Sequence, residues 1–381
     1  MSTTIYPEQF SGLDDTLAVQ AAINAVPTRG AGAEVILTRQ YNITSPIEII
    51  SDARHNYRRG ITIRGMNAGT SGTSLQTGLV WAGPAGQPVI KLYSRDNLLC
   101  NFSISAASGH EASCAIEVDQ VSGEVANTRN CFEYLRIDGG IGMGTNGRII
   151  NGVVIGPRTG IYNLDFHYFR QCVFVYMEEA CVWIASDTGQ SKHHTFDTCG
   201  FLRSKYGIKQ VTGSFEARGC AFSSLTQAAI SLYGPTDSIY LTSPDSEWCP
   251  RFIESRAGGS SGWPLTISGG RFELNSLHPD GRYIDYLYSG PLFIQGATFS
   301  NVPVERFKIR VGAGGVGARL ISIGNQFPNA TPYEMIPYSH LISLGNRGLD
   351  SIGNGVLLAD QFAGTGVSVP LSMPLPVLTK R

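Results

Sequence analysis

Four carboxylates are the residues best suited to acid–base chemistry in this chain: Asp197, Glu216, Glu178 and Glu179. Hydrolysis of a glycosidic bond needs two such groups, one to give a proton and one to act as nucleophile or base. Trp183, Tyr233 and Trp248 supply rings on which the C–H face of a pyranose can stack. Lys209, Arg170 and Arg218 supply cations for hydroxyl or acidic substituents. Glu178-Glu179 beside Trp183 is the densest acidic spot of the central chain, followed by Asp187, and Lys192-His193-His194 is the densest basic one. A third cluster, TSPDSEWCPRFIESR over 242–256, carries Asp245, Glu247, Trp248, Arg251, Glu254 and Arg256. It reads as an insertion forming a binding wall, or as a solvated charged loop. Eliminative cleavage would instead need a neutral base and a group to neutralise a uronate. Lys209 with Glu117 and Asp119 fits that need, Ca²⁺ being the group that often neutralises the uronate in such a reaction. Otherwise no cofactor or metal is expected: the eight cysteines form no CxxC pair.

These residues need elements to hold them, and a repeat provides those. Five segments align without gaps: HYFRQCVF, HTFDTCGF, FEARGCAF, LTISGGRF and LFIQGATF, closing at Phe174, Phe201, Phe222, Phe272 and Phe299. The closing positions are 27, 21, 50 and 27 residues apart, so the long gap holds two turns or one turn with an insertion. Five residues earlier stand Phe169, Phe196, Ala217, Ile267 and Ile294, all apolar. Three earlier stand Gln171, Thr198, Gly219, Gly269 and Gly296, which favour a bend, and two earlier Cys172, Cys199, Cys220, Gly270 and Ala297, all small. The pattern is strand, tight bend, strand. Each such coil buries its apolar face only against its neighbours, which is the logic of a solenoid. The cysteines then read as reduced, buried fillers of that stack.

Strands alternate inward and outward residues. With Phe196 inward, Arg170, Asp197, Arg218, Ser268 and Gln295 form one exposed file, and Tyr168, Thr195, Glu216, Thr266 and Phe293 the next. Coils repeat at a strand spacing of ~4.8 Å. Asp197 and Glu216 are then expected near the ~5–5.5 Å carboxylate separation of retaining glycosidases. The same file also reads as a charge ladder, Arg170–Asp197–Arg218, in which Asp197 is held ionised. A second surface comes from CAIEVD, CVWIAS, YGIKQV and AAISLY, with Glu117, Asp119, Trp183, Lys209, Ser231 and Tyr233 outward. His194 falls inward with His167, as a core histidine.

Net charge is −1 over 381 residues, so nucleic acid and anionic membrane are not expected partners. Charged residues at 15% and hydrophobic ones at 42% exclude disorder. No stretch has the apolar length of a membrane helix. The start lacks a basic flank and an apolar core, so no signal peptide is expected.

The first 65 residues carry a further pattern. Asp14-Asp15-Thr16 precedes LAVQAAINAV, a capped amphipathic helix, followed by AEVILTRQYNI and GITIRG. Asp14, Asp15, Thr16, Tyr41 and Gly65 resemble the N-terminal signature of the pectate-lyase-like superfamily. Its upstream Gly-Asp-Gly is missing, and Thr38-Arg39-Gln40 stands where Pro-Ala-Gly is usual. The resemblance implies an all-β, right-handed parallel β-helix with an N-terminal capping helix, and a polysaccharide or oligosaccharide partner. It does not choose among hydrolase, lyase, epimerase, fructan-converting transferase and phage tailspike. The expected organisation is a capped segment at 1–30, a β-helix over 31–330 and a C-terminal strand or arm region at 331–381. The arm is marked by Pro332, Pro337, Pro370, Pro374 and Pro376. The leading expectation is a glycosidase-type depolymerase, extracellular or virion-associated, acting as a homotrimer. The alternatives are a lyase or transferase on the same fold and a spike that holds glycan without cleaving it.

Overall fold

The computed structural model describes residues 3–360 apart from 28–32, 53–57, 69–76, 122–125, 141–145, 157–162, 188–189, 235, 257–261, 302–306, 313–317, 329–332, 336–338 and 348–356. It is a right-handed parallel β-helix. Each full coil gives one strand to each of three sheets. His194–Asp197 lies in the first sheet, Gly200–Leu202 in the second and Tyr206–Gln210 in the third. Among the described residues strand pairing is parallel, except that Leu357–Asp360 runs antiparallel beside His340–Leu344. No helix among the described residues is long and apolar enough to cross a membrane.

The closing phenylalanines form one column. Phe174 pairs with Phe201 and Phe201 with Phe222, their rings 5.5 and 4.9 Å apart. The 50-residue gap holds two turns, and Ser246 takes the Phe position in the extra rung, between Phe222 and Phe272. Phe252 fills the space the serine leaves, packing edge-on to Phe222 and Phe272 at 5.7 and 4.8 Å. Tyr283 closes it by donating to Ser246 Oγ at 2.7 Å. The segment 242–256 is therefore a coil of the solenoid rather than an inserted wall. Its missing Phe hid the repeat.

The bend residues have the left-handed backbone that the turn requires. Gln171, Thr198, Gly219, Gly269 and Gly296 have φ of 49, 55, 56, 70 and 65°. Cys172, Cys199 and Cys220 fill the small column, their thiols turned to the carbonyls of Phe132, Phe169 and Phe196 at 3.3–3.5 Å. All eight cysteines are free, and Cys131 alone is half-buried. Inside the first sheet's corner runs a polar ladder. Asn97 donates to Asn130 at 2.9 Å, Asn130 N–H to His167 Nδ1, and His167 stacks on His194 at 5.2 Å.

The helix Asp15–Ala25 covers the first coil, with Asp14 capping Leu17 N–H at 2.9 Å. Val19, Ala22 and Ile23 bury against the core. Its polar side chains end the sheets. Asp15 accepts from Asn42 N–H and Thr16 from Thr44 N–H, both at 2.8 Å, and Gln20 accepts from Glu48 N–H at 2.7 Å. These are edge groups of the first strands of the second and third sheets. Arg39, where the resembled signature has Pro-Ala-Gly, clamps Asp15 at 2.7 Å. Asp15→Ala removes that clamp and leaves Asn42 N–H unpaired. A loss of about 1–3 kcal/mol is expected, read as a lowered urea midpoint. At the other end coils continue past residue 330, since Arg319–Ile323 pairs with His340–Leu344. Pro332, Pro337, Pro370, Pro374 and Pro376, which mark the expected arm, lie outside the described residues.

Candidate functional site

The outward files are as expected, with one rung added. Tyr168, Thr195, Glu216, Tyr240, Thr266 and Phe293 are register partners along the first sheet. So are Arg170, Asp197, Arg218, Thr242, Ser268 and Gln295. Tyr240, on the coil the sequence pattern missed, stands directly beside Glu216.

That rung completes a groove of about 420 Å³, bordered by Lys192, His193, Thr195, Glu216, Tyr240 and Trp263. Tyr240 is 46% exposed and Trp263 58%. Phe166, also exposed, extends the aromatic rim by stacking on His193 at 5.1 Å. Lys192 pairs with Asp237 at 2.8 Å. Arg218 grips both oxygens of Glu216 at 2.5 Å, so both oxygens act as acceptors. Each cation here is already matched by a carboxylate.

Asp197 lies two residues along the strand from Thr195. Tyr168 O–H donates to it at 2.9 Å and Thr198 O–H at 3.0 Å. The salt ladder is thus rearranged: Arg218 turns back to Glu216, and hydroxyls serve Asp197. Asp197 and Glu216 are one strand spacing and two residues apart, about 8 Å between Cα atoms. Burial, aided by the bond to Asp197, pushes the Tyr168 phenol up, the wrong direction for a base. Burial also raises the Asp165 carboxyl, but Asp165 lies two rungs from Glu216 and three residues before the position in register with it, more than about 10 Å away.

The second predicted surface is partly assembled. Glu117, Val154, Trp183, Lys209 and Ser231 form one outward file on the third sheet. Lys209 lies 4.9 Å from the rings of Trp183 and Tyr233 and 2.9 Å from Glu179. Partial burial opposes ionisation of Glu179, but the hydrogen bonds from Lys205 and Lys209 outweigh it and hold its carboxyl low. Glu178, its sequence neighbour in the bend before the strand Ala180–Ile184, points away to Arg148 at 3.5 Å. The lyase arrangement does not form. Asp119 is fully buried, and Glu117, held by Tyr93, stands three rungs from Lys209, about 14 Å.

Of the remaining candidates, Trp248 sits apart, exposed at a left-handed corner of the second sheet and bonded to Glu247 at 3.1 Å. Arg170 is exposed at the end of its strand, and His194 is buried beneath the groove. Among the described residues no group of three His, Cys, Asp or Glu stands close enough to hold a metal ion.

Stacked parallel coils with an aromatic groove on one flank define the class: a right-handed parallel β-helix. Solved structures of that fold resemble it. An α-1,3-glucanase catalytic unit of Streptomyces thermodiastaticus matches 91% of this chain and 69% of its own, with a TM-score of 0.53 and 13% identity. The tailspike protein of Acinetobacter phage vB_ApiP_P1 matches 97% and 65%, at 0.52 and 14%. The Dettilon tailspike protein matches 91% and 66%, at 0.50 and 13%. The chain thus spans about two thirds of each of these proteins. No protein-family model and no curated sequence matches it.

Proposed function

We propose that the first sheet is a glycan-binding flank and that the bound polymer is cleaved there by hydrolysis. The carrying observation is the groove, where the exposed rings of Tyr240 and Trp263 flank Glu216. Polar groups converging beside exposed rings suit a sugar, which offers hydroxyls at its edge and C–H groups on its face. Balanced charge in the groove favours a neutral stretch of polymer. Glu216, with both oxygens accepting from Arg218, takes the part of base or nucleophile. Asp197 is the second carboxyl of the pair; its two oxygens accept from Tyr168 and Thr198, so it serves as acid only once protonated. The glucanase and tailspike likenesses agree with a glycan partner and with an extracellular or virion-borne place. A homotrimer, three chains of 41.0 kDa, is part of the same proposal and is tested by light scattering of the purified protein.

A second reading has its own observation. Arg218 occupies both oxygens of Glu216, which suits a spike that holds glycan without cutting it. A polysaccharide panel separates these readings. New reducing ends without absorbance near 235 nm support hydrolysis. That absorbance would indicate a lyase, and cyclic disaccharides from inulin a transferase. Binding without product selects the spike. Tyr240→Ala and Trp263→Ala are each expected to weaken glycan binding about 10-fold. Glu216→Gln is expected to keep binding and lower turnover at least 100-fold. Unchanged binding in both ring variants would remove the groove from the proposal, and full turnover in Glu216→Gln would remove the mechanism.

A further inference from the structure

Asp237 borders the groove beside Glu216, and a bulge puts it there. Gly213 pairs with Thr236 and Phe215 with Ile239, so Ser214 faces both Asp237 and Ser238. In a regular strand Asp237, two residues before the inward Ile239, would point into the core. The extra residue turns it out, and it stands half-buried in the groove wall. Its Oδ2 meets Lys192 Nζ at 2.8 Å. Lys192 belongs two coils back, and the coil between carries Gly213 in register with it. With φ of 96°, and a Cβ that would fall 1.8 Å from Ser191 O, that position puts no side chain between the two partners. Among the described residues Asp237 Oδ1 has no partner, whereas both oxygens of Glu216 and of Asp197 are taken. Trp263 stands one coil on, two residues before Leu265, as Asp237 stands two before its register partner Ile239.

We infer that Lys192 and Asp237 read two neighbouring hydroxyls of the sugar that stacks on Trp263. This rests on the glycan reading of the groove and narrows its substrate. An ammonium donor and a carboxylate acceptor 2.8 Å apart match the spacing of gauche hydroxyl oxygens on adjacent ring carbons. One hydroxyl donates to Asp237 Oδ1. Its neighbour accepts from Lys192, whose ammonium has donors beyond the one turned to Asp237. Trans-diaxial hydroxyls lie too far apart to be held by the pair together. The pair is neutral as a unit and adds no preference for a charged sugar. A sugar that is deoxy or O-acylated at either position leaves one of the two groups desolvated and unanswered. The selected class is a neutral pyranose with an unsubstituted gauche diol. Trp263 sets the plane of the ring, and the ion pair sets its rotation in that plane.

The test is ligand-observed NMR titration of the full chain with the methyl glycosides of glucose, mannose and galactose, each beside its monodeoxy forms at the ring hydroxyls. At least one parent is expected to bind, and to lose affinity about 10-fold when either of two adjacent hydroxyls is removed. Asp237→Ala is expected to bring the loss at one of those hydroxyls below about 2-fold, and Lys192→Met the loss at its neighbour. Trp248→Ala, on the second sheet, is expected to leave both losses as they are. Equal losses in wild type and in both groove variants would overturn the inference. So would a parent that binds with no deoxy penalty. In either case binding that still depends on Tyr240 keeps the glycan reading. No binding by any parent overturns both.

Discussion

Phe201→Ala is expected to lower the unfolding free energy by about 3–5 kcal/mol. Phe201 is fully buried between Phe174 and Phe222 and meets Phe196 edge-on at 5.8 Å. Coils stack at the strand spacing, which hydrogen bonds on three sheets hold fixed, so the neighbours cannot close on the void. The truncation thus loses both the transfer term and a residual cavity. Ser246 shows what a tolerated gap requires: another ring, Phe252, fills it from the third sheet. Phe201 has no such substitute among the rings packed around it. Because stability in a solenoid is nearly a sum of coil and interface terms, the damage concentrates at one level. Urea unfolding followed by tyrosine and tryptophan fluorescence is expected to shift to a lower midpoint and to broaden. An unchanged midpoint would mean that the stack contributes little.

Acidification is expected to weaken the fold before carboxylates titrate, through His167 and His194. Both are fully buried and stacked in parallel. Burial drives the His167 imidazole down to about 3 and takes His194 well below its usual range, with the neighbouring histidines adding to the effect. The unfolded chain binds protons at both near pH 6.5, while the folded chain keeps both neutral. Their stabilising contribution is therefore complete above about pH 6.5. It is lost as pH falls from there toward the folded value, by up to about 1.4 kcal/mol per pH unit for each ring. Paired carboxylates such as Asp15 and Glu179 are held low and add their own losses only below about pH 4.5. The double variant His167→Asn, His194→Asn continues the asparagine ladder begun by Asn97 and Asn130. It is expected to flatten the urea midpoint between pH 6.5 and 4.5. An equal slope in wild type and variant would refute the assignment.

Much of this fold was legible because parallel stacking repeats side-chain identity at fixed positions. The Phe column, the bend column and the inward His194 all follow from that periodicity. One serine broke the reading. With Ser246 in a Phe position, the coil holding Tyr240 looked like an insertion, and Trp263, just before the next strand, was never placed against Glu216. The alternation in Ser238-Ile239-Tyr240-Leu241 was the available signal. Partner choice was less legible. Sequence order sets Arg170, Asp197 and Arg218 in a file, but rotamers decide that Arg218 bonds along its own strand to Glu216. Likewise Glu178 and Glu179 are adjacent in sequence and diverge in space.

The capping helix has a meaning beyond covering the core. A stack of parallel coils is a one-dimensional crystal, and each bare end is a template onto which another strand can add. Asp15, Thr16 and Gln20 answer the N–H groups of that template with side-chain oxygens, which pass on no backbone pattern. The helix acts as a chain terminator for the second and third sheets. At those two sheets it blocks the strand addition that their own geometry would permit.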